Sequence, residues 1–217
     1  MKKLICIFLT LVFAFSFSAC GKDATTTADN GDTVKTATTV AADSGYLTGK
    51  HHVVMKIKDY GDVKLELDAD EAPITVTNFI DLANEGFYDG ISFHRFVDDF
   101  VLQGGDPLGT GSGGSSRKIK GEFIANGVSN NIKHTRGVIS MARANDYNSA
   151  SSQFFIVLDT SSTVSSSLDG LYAAFGYVTE GMDVIDAVCA DAIVNDYSSG
   201  LISTDSRACI ETIEVIE

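Results

Sequence analysis

The chain has 217 residues, 16 basic against 29 acidic side chains, a formal net charge of −13, and 44% hydrophobic residues with no tryptophan. So acidic a composition excludes nucleic acid as a partner, because contact with a phosphate backbone is carried by clustered Lys and Arg. The length allows a single domain with one core, and there is no internal repeat.

The first segment, MKKLICIFLTLVFAFSFSA, places Lys2 and Lys3 before an uncharged apolar run from Leu4 to Phe17 and then small residues. That order predicts a signal peptide over residues 1–19. Cys20, preceded by Ser18 and Ala19 and followed by Gly21, resembles the lipobox at which bacterial prolipoproteins are acylated and cleaved, although Phe17 is an unusual residue three positions before the cysteine. The expectation is an extracytoplasmic protein anchored to the membrane by lipid on Cys20, each buried CH₂ contributing about 0.8 kcal/mol. Secretion without lipid and an uncleaved apolar anchor are the alternatives. Residues 20–49 are rich in Thr, Ala and Asp and poor in large apolar side chains, so they read as a flexible tether. No later run reaches the ~20 apolar residues that a membrane-spanning helix needs.

Residues 50–217 are expected to form the folded domain. HHVVMKIKDY and GDVKLELDAD alternate with a β period around Asp59 to Asp62, which predicts a hairpin. A helix follows: Pro73 suits its first turn, Val76, Phe79, Ile80 and Ala83 fall on one face, and Gly86 is placed to end it. Short apolar runs at Ser92–Val97, Phe100–Gln103, Gly137–Ala142, Gln153–Leu158 and Tyr172–Val178 read as strands, Glu180–Val188 as a second helix, and Cys209–Glu217 as a closing strand. In the first of these runs, alternation puts Arg95 and Phe93 on one face and His94 and Phe96 on the other. Many short strands with two helices, and no strand-helix alternation, point to a mainly β fold, a sandwich or an antiparallel barrel.

Several sites are weighed and set aside. Gly109, Gly111 and Gly114 match GxGxxG, but neither a buried strand before them nor an apolar helix after them supports a dinucleotide site. His51, His52, His94 and His134 share no metal-ligand spacing, and no GxSxG elbow occurs, so neither a metal nor a serine hydrolase is expected. Cys189 and Cys209 either pair or remain thiols; no CxxC accompanies them.

What remains are FHRFVDDFVLQGGD, GTGSGG, HTRGVISMA, SQFFI, LDG and FGYVTEGMDV, in that order. Together these resemble the cyclophilin family of peptidyl-prolyl cis-trans isomerases across residues 50–217. The resemblance implies a closed eight-stranded antiparallel β-barrel capped by two α-helices, with the peptide groove on its outer face. It implies Arg95, Phe100 and Gln103 as catalytic residues, with the proline ring seated by Phe100, Val101, Phe155 and Leu168. Ala142 and Gln153 would hold the peptide backbone, with Gly111 and Ala144 at the rim.

Three positions depart from the common eukaryotic pattern. Arg143 stands where an asparagine binds through its backbone, Tyr172 where a histidine flanks the proline pocket, and Ser167 where a tryptophan favours cyclosporin-type ligands. Substrate binding is still expected of Arg143 and Tyr172, and cyclosporin sensitivity is expected to be weak. The implied partners are proline-containing polypeptides, the implied reaction needs no cofactor and no metal, and a monomer is expected. An apolar run that carries a guanidinium also has a plainer reading, an arginine whose stem packs on aromatics while its head reaches water. The rival function is a non-catalytic peptide-binding chaperone or adaptor on the same fold.

Overall fold

The computed structural model describes residues 45–216. The signal peptide expected at 1–19, Cys20, and most of the tether expected at 20–49 lie outside the described residues.

Strands β1 (Lys50–Ile57) and β2 (Gly61–Asp68) form the expected hairpin, with Val53 opposite Leu65 and Ile57 opposite Gly61. Their alternation sorts Val53, Met55, Ile57, Val63, Leu65 and Leu67 inward. Helix α1 (Pro73–Asn84) starts on Pro73, whose missing N–H costs no bond there, and the buried Glu122 carboxylate accepts the N–H groups of Ile74 (3.0 Å) and Thr75 (2.8 Å). It ends at Gly86, φ 69°, where the Phe87 N–H donates to Leu82 O and the Gly86 N–H to Ala83 O, both at 2.9 Å. Val76, Phe79, Ile80 and Ala83 are all buried.

The remaining elements are β3 (Arg95–Val97), β4 (Val101–Gly104), β5 (Val138–Met141), β6 (Phe154–Val157), β7 (Ala174–Glu180), α2 (Met182–Asp191), β8 (Val194–Asp196), β9 (Leu201–Ile202) and β10 (Ile210–Ile216). Helix α2 starts later than the expected Glu180 because Glu180 pairs with Lys64 at the end of β7, and Gly181, φ 94°, then turns the chain.

The ladders are antiparallel and join ten strands in the order β10-β1-β2-β7-β5-β6-β4-β3-β9-β8. This corrects the expected closed eight-stranded barrel: the sheet has more strands, and no ladder joins its end strands β10 and β8. The unforeseen pair is β8–β9, a hairpin too short and polar to show an alternation. Near the gap, an isolated bridge joins Ser92 to Cys209, and backbone bonds run from Gly90 N–H to Ile210 O (2.8 Å) and from Phe93 N–H to Ala208 O (3.0 Å). The run expected from Ser92 is therefore strand only from Arg95. Successive residues Phe93 and His94 are both buried, which a regular strand with one solvent face does not allow, so Phe93 belongs to the core and does not share a face with Arg95.

Two apolar clusters sit on opposite faces of the same strands. The larger fills the space between the inner face and the helices, with Phe79, Tyr88, Phe93, Leu102, Phe154, Ile156 and Phe175 at its centre. The smaller, on the outer face of β4, β6, β5 and β7, comprises Val101, Ile132, Val138, Phe155, Val157, Leu168 and Ala174, with Phe100, Ala142 and Tyr172 packed against it. Cys189 and Cys209 are free thiols, and burial pushes the Cys189 thiol up to about 12.

Candidate active site

Strand register builds a row across the outer face. Arg95 on β3 lies opposite Gln103 on β4, Gln103 opposite Phe155 on β6, and Phe155 opposite Ser140 on β5. Paired residues of an antiparallel ladder point to the same side, so a cation, an amide and an aromatic ring are brought side by side from segments far apart in sequence.

Arg95 is half-buried, and that burial lowers the guanidinium's pKa from its usual value, with Tyr172 opposing. Its Nη1–H donates to Gln103 Oε1 at 3.2 Å and its Nε–H to the carbonyl of Ser199 at 2.8 Å. Gln103 Nε2 donates to Gln153 Oε1 at 2.8 Å, and Gln153 Nε2 donates to the carbonyls of Gly111 (3.1 Å) and Gly113 (2.7 Å). The direction of this chain is set at its ends. Arginine has no acceptor, so Gln103 must present its oxygen to Arg95 and its amide to Gln153. Among the described residues Nη2 of Arg95 has no hydrogen-bond partner, which leaves a charged donor directed by its neighbours and available to a ligand.

The β3–β4 turn brings Phe100 beside this row. Phe100 N–H donates to Val97 O at 3.1 Å, and Asp99 takes the left-handed region with φ 50°. Such a conformation suits Asp, which is among the few side chains that tolerate it. Phe155 is 4% exposed, its ring edge-on to Tyr172 at 5.7 Å and stacked on His134 at 6.1 Å. Leu168 arrives from a short 3-10 turn (Ser165–Leu168) held by the buried Asp159, which accepts the N–H groups of Ser161, Val164 and Ser165. Bonds from Ser165 above all hold the Asp159 carboxyl well below the usual carboxylate range.

His134 is a support that sequence reasoning left among unassigned histidines. Its ring is buried, with Nδ1 3.0 Å from Asp169 Oδ1 and Nε2 2.9 Å from Ser140 Oγ. An ionised carboxylate only accepts, so Nδ1 carries the proton, and burial lowers the ring's pKa against the opposing Asp169. The ring is thus a neutral backing for Phe155. The signal available was the HTRG run, which is too short to distinguish a packed histidine from a reactive one.

Beyond Gln103 a cleft of about 700 Å³ is lined by Gly111, Ala142, Arg143, Ala144 and Gln153, together with Lys118. Gly111 belongs to a loop folded around the buried Asp106, which accepts the N–H groups of Leu108 (2.8 Å), Thr110 (2.9 Å), Gly111 (2.6 Å) and Gly113 (3.2 Å). Burial alone would raise the Asp106 carboxyl, but these four donors outweigh it and hold the group below its usual value. Asp106 stands in the QGGD run, yet nothing in that run reveals that its carboxylate organises the following glycines.

Arg143 has a role of its own. Its guanidinium lies over the rings of Tyr172 (4.6 Å), Tyr147 (4.8 Å) and Phe123 (5.2 Å), while Nε–H donates to Leu171 O and Nη1–H to Ala144 O, each at 2.9 Å. This ties the loop carrying Ala144 to the loop carrying Tyr172, and cation–π contacts of this kind contribute about 0.5–2 kcal/mol each. All twelve expected groove residues thus lie along one continuous surface on the outer face. Arg95, Gln103, Gln153 and Gly111 are joined by hydrogen bonds; Phe100, Val101, Phe155, Leu168, Ala142 and Tyr172 by packing; Arg143 and Ala144 line the cleft. Among the described residues no group of His, Cys, Asp and Glu is arranged to hold a metal ion.

The family model described as "Cyclophilin type peptidyl-prolyl cis-trans isomerase/CLD" matches residues 52–201. Among curated relatives, "Peptidyl-prolyl cis-trans isomerase-like 1" of Rhizopus delemar is 43% identical over 148 residues, covering 68% of this chain and 79% of the relative. A bacterial relative, "Peptidyl-prolyl cis-trans isomerase" of Helicobacter pylori, is 41% identical over 145 residues, covering 65% and 83%. A crystal structure of a Cryptosporidium parvum cyclophilin-type peptidyl-prolyl cis-trans isomerase superposes with a TM-score of 0.65 at 30% identity, covering 78% of this chain and 99% of the other. The same parasite protein, in the presence of the dipeptide Ala-Pro, superposes with a TM-score of 0.64, covering 76% and 99%.

Proposed function

Because the chain belongs to the cyclophilin-type peptidyl-prolyl cis-trans isomerase family, we propose that its outer-face groove catalyses X-Pro isomerisation, with Arg95 as the electrostatic catalyst. Rotation about an X-Pro bond must break amide resonance, a barrier of ~18–20 kcal/mol that makes the spontaneous reaction take tens to hundreds of seconds. In the twisted transition state the proline nitrogen becomes pyramidal and regains its lone pair. A donor aimed at that nitrogen binds the transition state better than the planar ground state, and each ~1.4 kcal/mol of such difference gives a factor of ten.

The observation that carries the reading is the two-sided hold on Arg95, by Gln103 and by the Ser199 carbonyl, beside an apolar seat. Phe100, Val101, Phe155 and Leu168 take the proline ring, with Tyr172 closing one side. Gln103 and Gln153 orient the arginine and neighbouring peptide groups, the main chain around Ala142, Arg143 and Ala144 takes the residues preceding proline, and Gly111 borders that stretch. No bond to the enzyme forms, and the peptide returns with only its ω angle changed. Residues of a single copy line this groove, which supports a monomer as the active unit.

The clients, on this reading, are exported proteins folding at the outer face of the membrane. Support comes from the N-terminal sequence: the basic and apolar segment of 1–19, Cys20 in its small-residue setting, and a tether over 20–49 that lets an anchored domain reach its substrates. Arg95→Ala in the full chain, assayed on an Ala-Pro peptide, is expected to lower kcat/KM by roughly a hundredfold with an unchanged circular dichroism spectrum. Equal turnover by the wild type and a folded Arg95→Ala variant would refute the catalytic assignment and favour a groove that only holds peptides.

A further inference from the structure

The hydrogen bond from Arg95 Nε–H to Ser199 O is made to a backbone atom of an exposed turn, so its worth depends on how firmly that turn is built. The turn joins β8 to β9 and is organised by Asp196. Its carbonyl accepts the Gly200 N–H at 2.7 Å. Its Oδ1 accepts the Ser198 N–H at 2.9 Å and the Ser198 hydroxyl at 2.7 Å, and its Oδ2 accepts the Ser199 hydroxyl at 2.8 Å. The turn is also stitched to the strand that carries the arginine: Phe96 N–H donates to Gly200 O at 2.8 Å, and Leu201 pairs with Arg95. Gly200, φ 76°, comes so near that a Cβ there would lie 2.6 Å from Phe96 O.

We propose that Asp196 is a positioning residue for isomerisation, fixing the Ser199 carbonyl that, with Gln103, holds the Arg95 guanidinium in one plane. The inference rests on the catalytic reading of Arg95. A planar guanidinium held through Nη1 alone can swing about that bond. A second bond at Nε removes the freedom and fixes where Nη2 points. Losing Asp196 frees the Ser198 and Ser199 side chains and lets the carbonyl drift, while the peptide seat at Phe100, Phe155 and Leu168 is untouched. The loss should therefore fall on kcat and spare KM.

The test is a double-mutant cycle in the full-length protein, with peptide turnover followed by a coupled assay and, for the slow variants, by exchange NMR. Asp196→Ala is expected to lower kcat roughly tenfold with KM within about twofold, as misplacement of a positioned group does. Asp196→Asn, which keeps an oxygen for Ser198, is expected to recover most of that loss. Combined with Arg95→Ala, Asp196→Ala is expected to add less than about a twofold further loss, because its effect passes through the arginine. Wild-type kcat in Asp196→Ala, an undiminished effect in the Arg95→Ala background, or an equally poor Asp196→Asn would overturn the proposal, as would a melting temperature falling together with activity. Full activity of Arg95→Ala itself would instead strike the reading on which the proposal rests.

Discussion

Replacing Asp106 by alanine should both destabilise the domain and loosen its groove. The carboxylate, 1% exposed, is the shared acceptor of four backbone N–H groups from Leu108, Thr110, Gly111 and Gly113. Hydrogen bonds to a charged acceptor contribute about 1.5–3 kcal/mol each, but four bonds to one group act as a unit and cannot be summed. Part of the loop would also regain water once opened, so a loss of about 3 kcal/mol is expected. In a domain of 150–250 residues each kcal/mol moves the melting temperature by about 2–4 °C, which predicts a fall of about 6–12 °C by circular dichroism. Activity should fall several-fold at temperatures where the variant is folded, because Gly111 and Gly113 supply the carbonyls that hold Gln153, and through it Gln103 and Arg95. The carboxyl's pKa is depressed in the fold, so its contribution is present above the unfolded value of about 3.9 and is lost as pH falls through the folded one. The difference between wild type and variant should narrow in acid. A melting temperature within about 2 °C of wild type at neutral pH, with unchanged kcat/KM, would refute the reasoning.

Two other expectations concern the core and the anchor. His94 is 1% exposed, neither ring nitrogen has a hydrogen-bond partner among the described residues, and burial first of all lowers its pKa from 6.5 to about 4. A base whose folded pKa lies below its unfolded one contributes most above pH 6.5 and loses that contribution as pH falls toward about 4, a span of roughly 3 kcal/mol. Urea unfolding at neutral and acid pH should show His94→Leu with a flatter profile than wild type, and parallel profiles would exclude the buried neutral histidine as the cause. Cys20→Ser in the full chain should shift the protein from the membrane fraction to the medium; an unmutated protein found wholly in the medium would remove the lipid anchor from the proposed function.

Helix α1 and the β1–β2 hairpin were legible in the chain because their determinants are local. The 3.6 and 2.0 periods, Pro73 at the start and Gly86 at the end each act within a few residues. The groove was legible in another way, through motifs whose family resemblance assigns Arg95, Phe100, Gln103, Gln153 and Phe155 to one surface before any contact is seen. The closed eight-stranded expectation came from that same resemblance and did not survive, since β8 and β9 are too short for a period and the chain at Phe93 and His94 buries two successive side chains.

By itself the sequence determined the types of the longer elements and the inward face of the first hairpin and first helix, and through its family resemblance the residue kinds suited to seat and polarise a proline peptide. Only the tertiary structure decided how those residues are held. The plane of Arg95 depends on a carbonyl 104 positions away and on a glutamine aligned by strand register. Phe155 leans on His134, and the departure at Arg143 becomes a clamp between two loops through Phe123, Tyr147 and Tyr172. The reason is the range of the interactions: periodicity and capping are written over one or two turns of chain, whereas side-chain hydrogen bonds and ring contacts depend on which distant segments the sheet brings within a few ångströms.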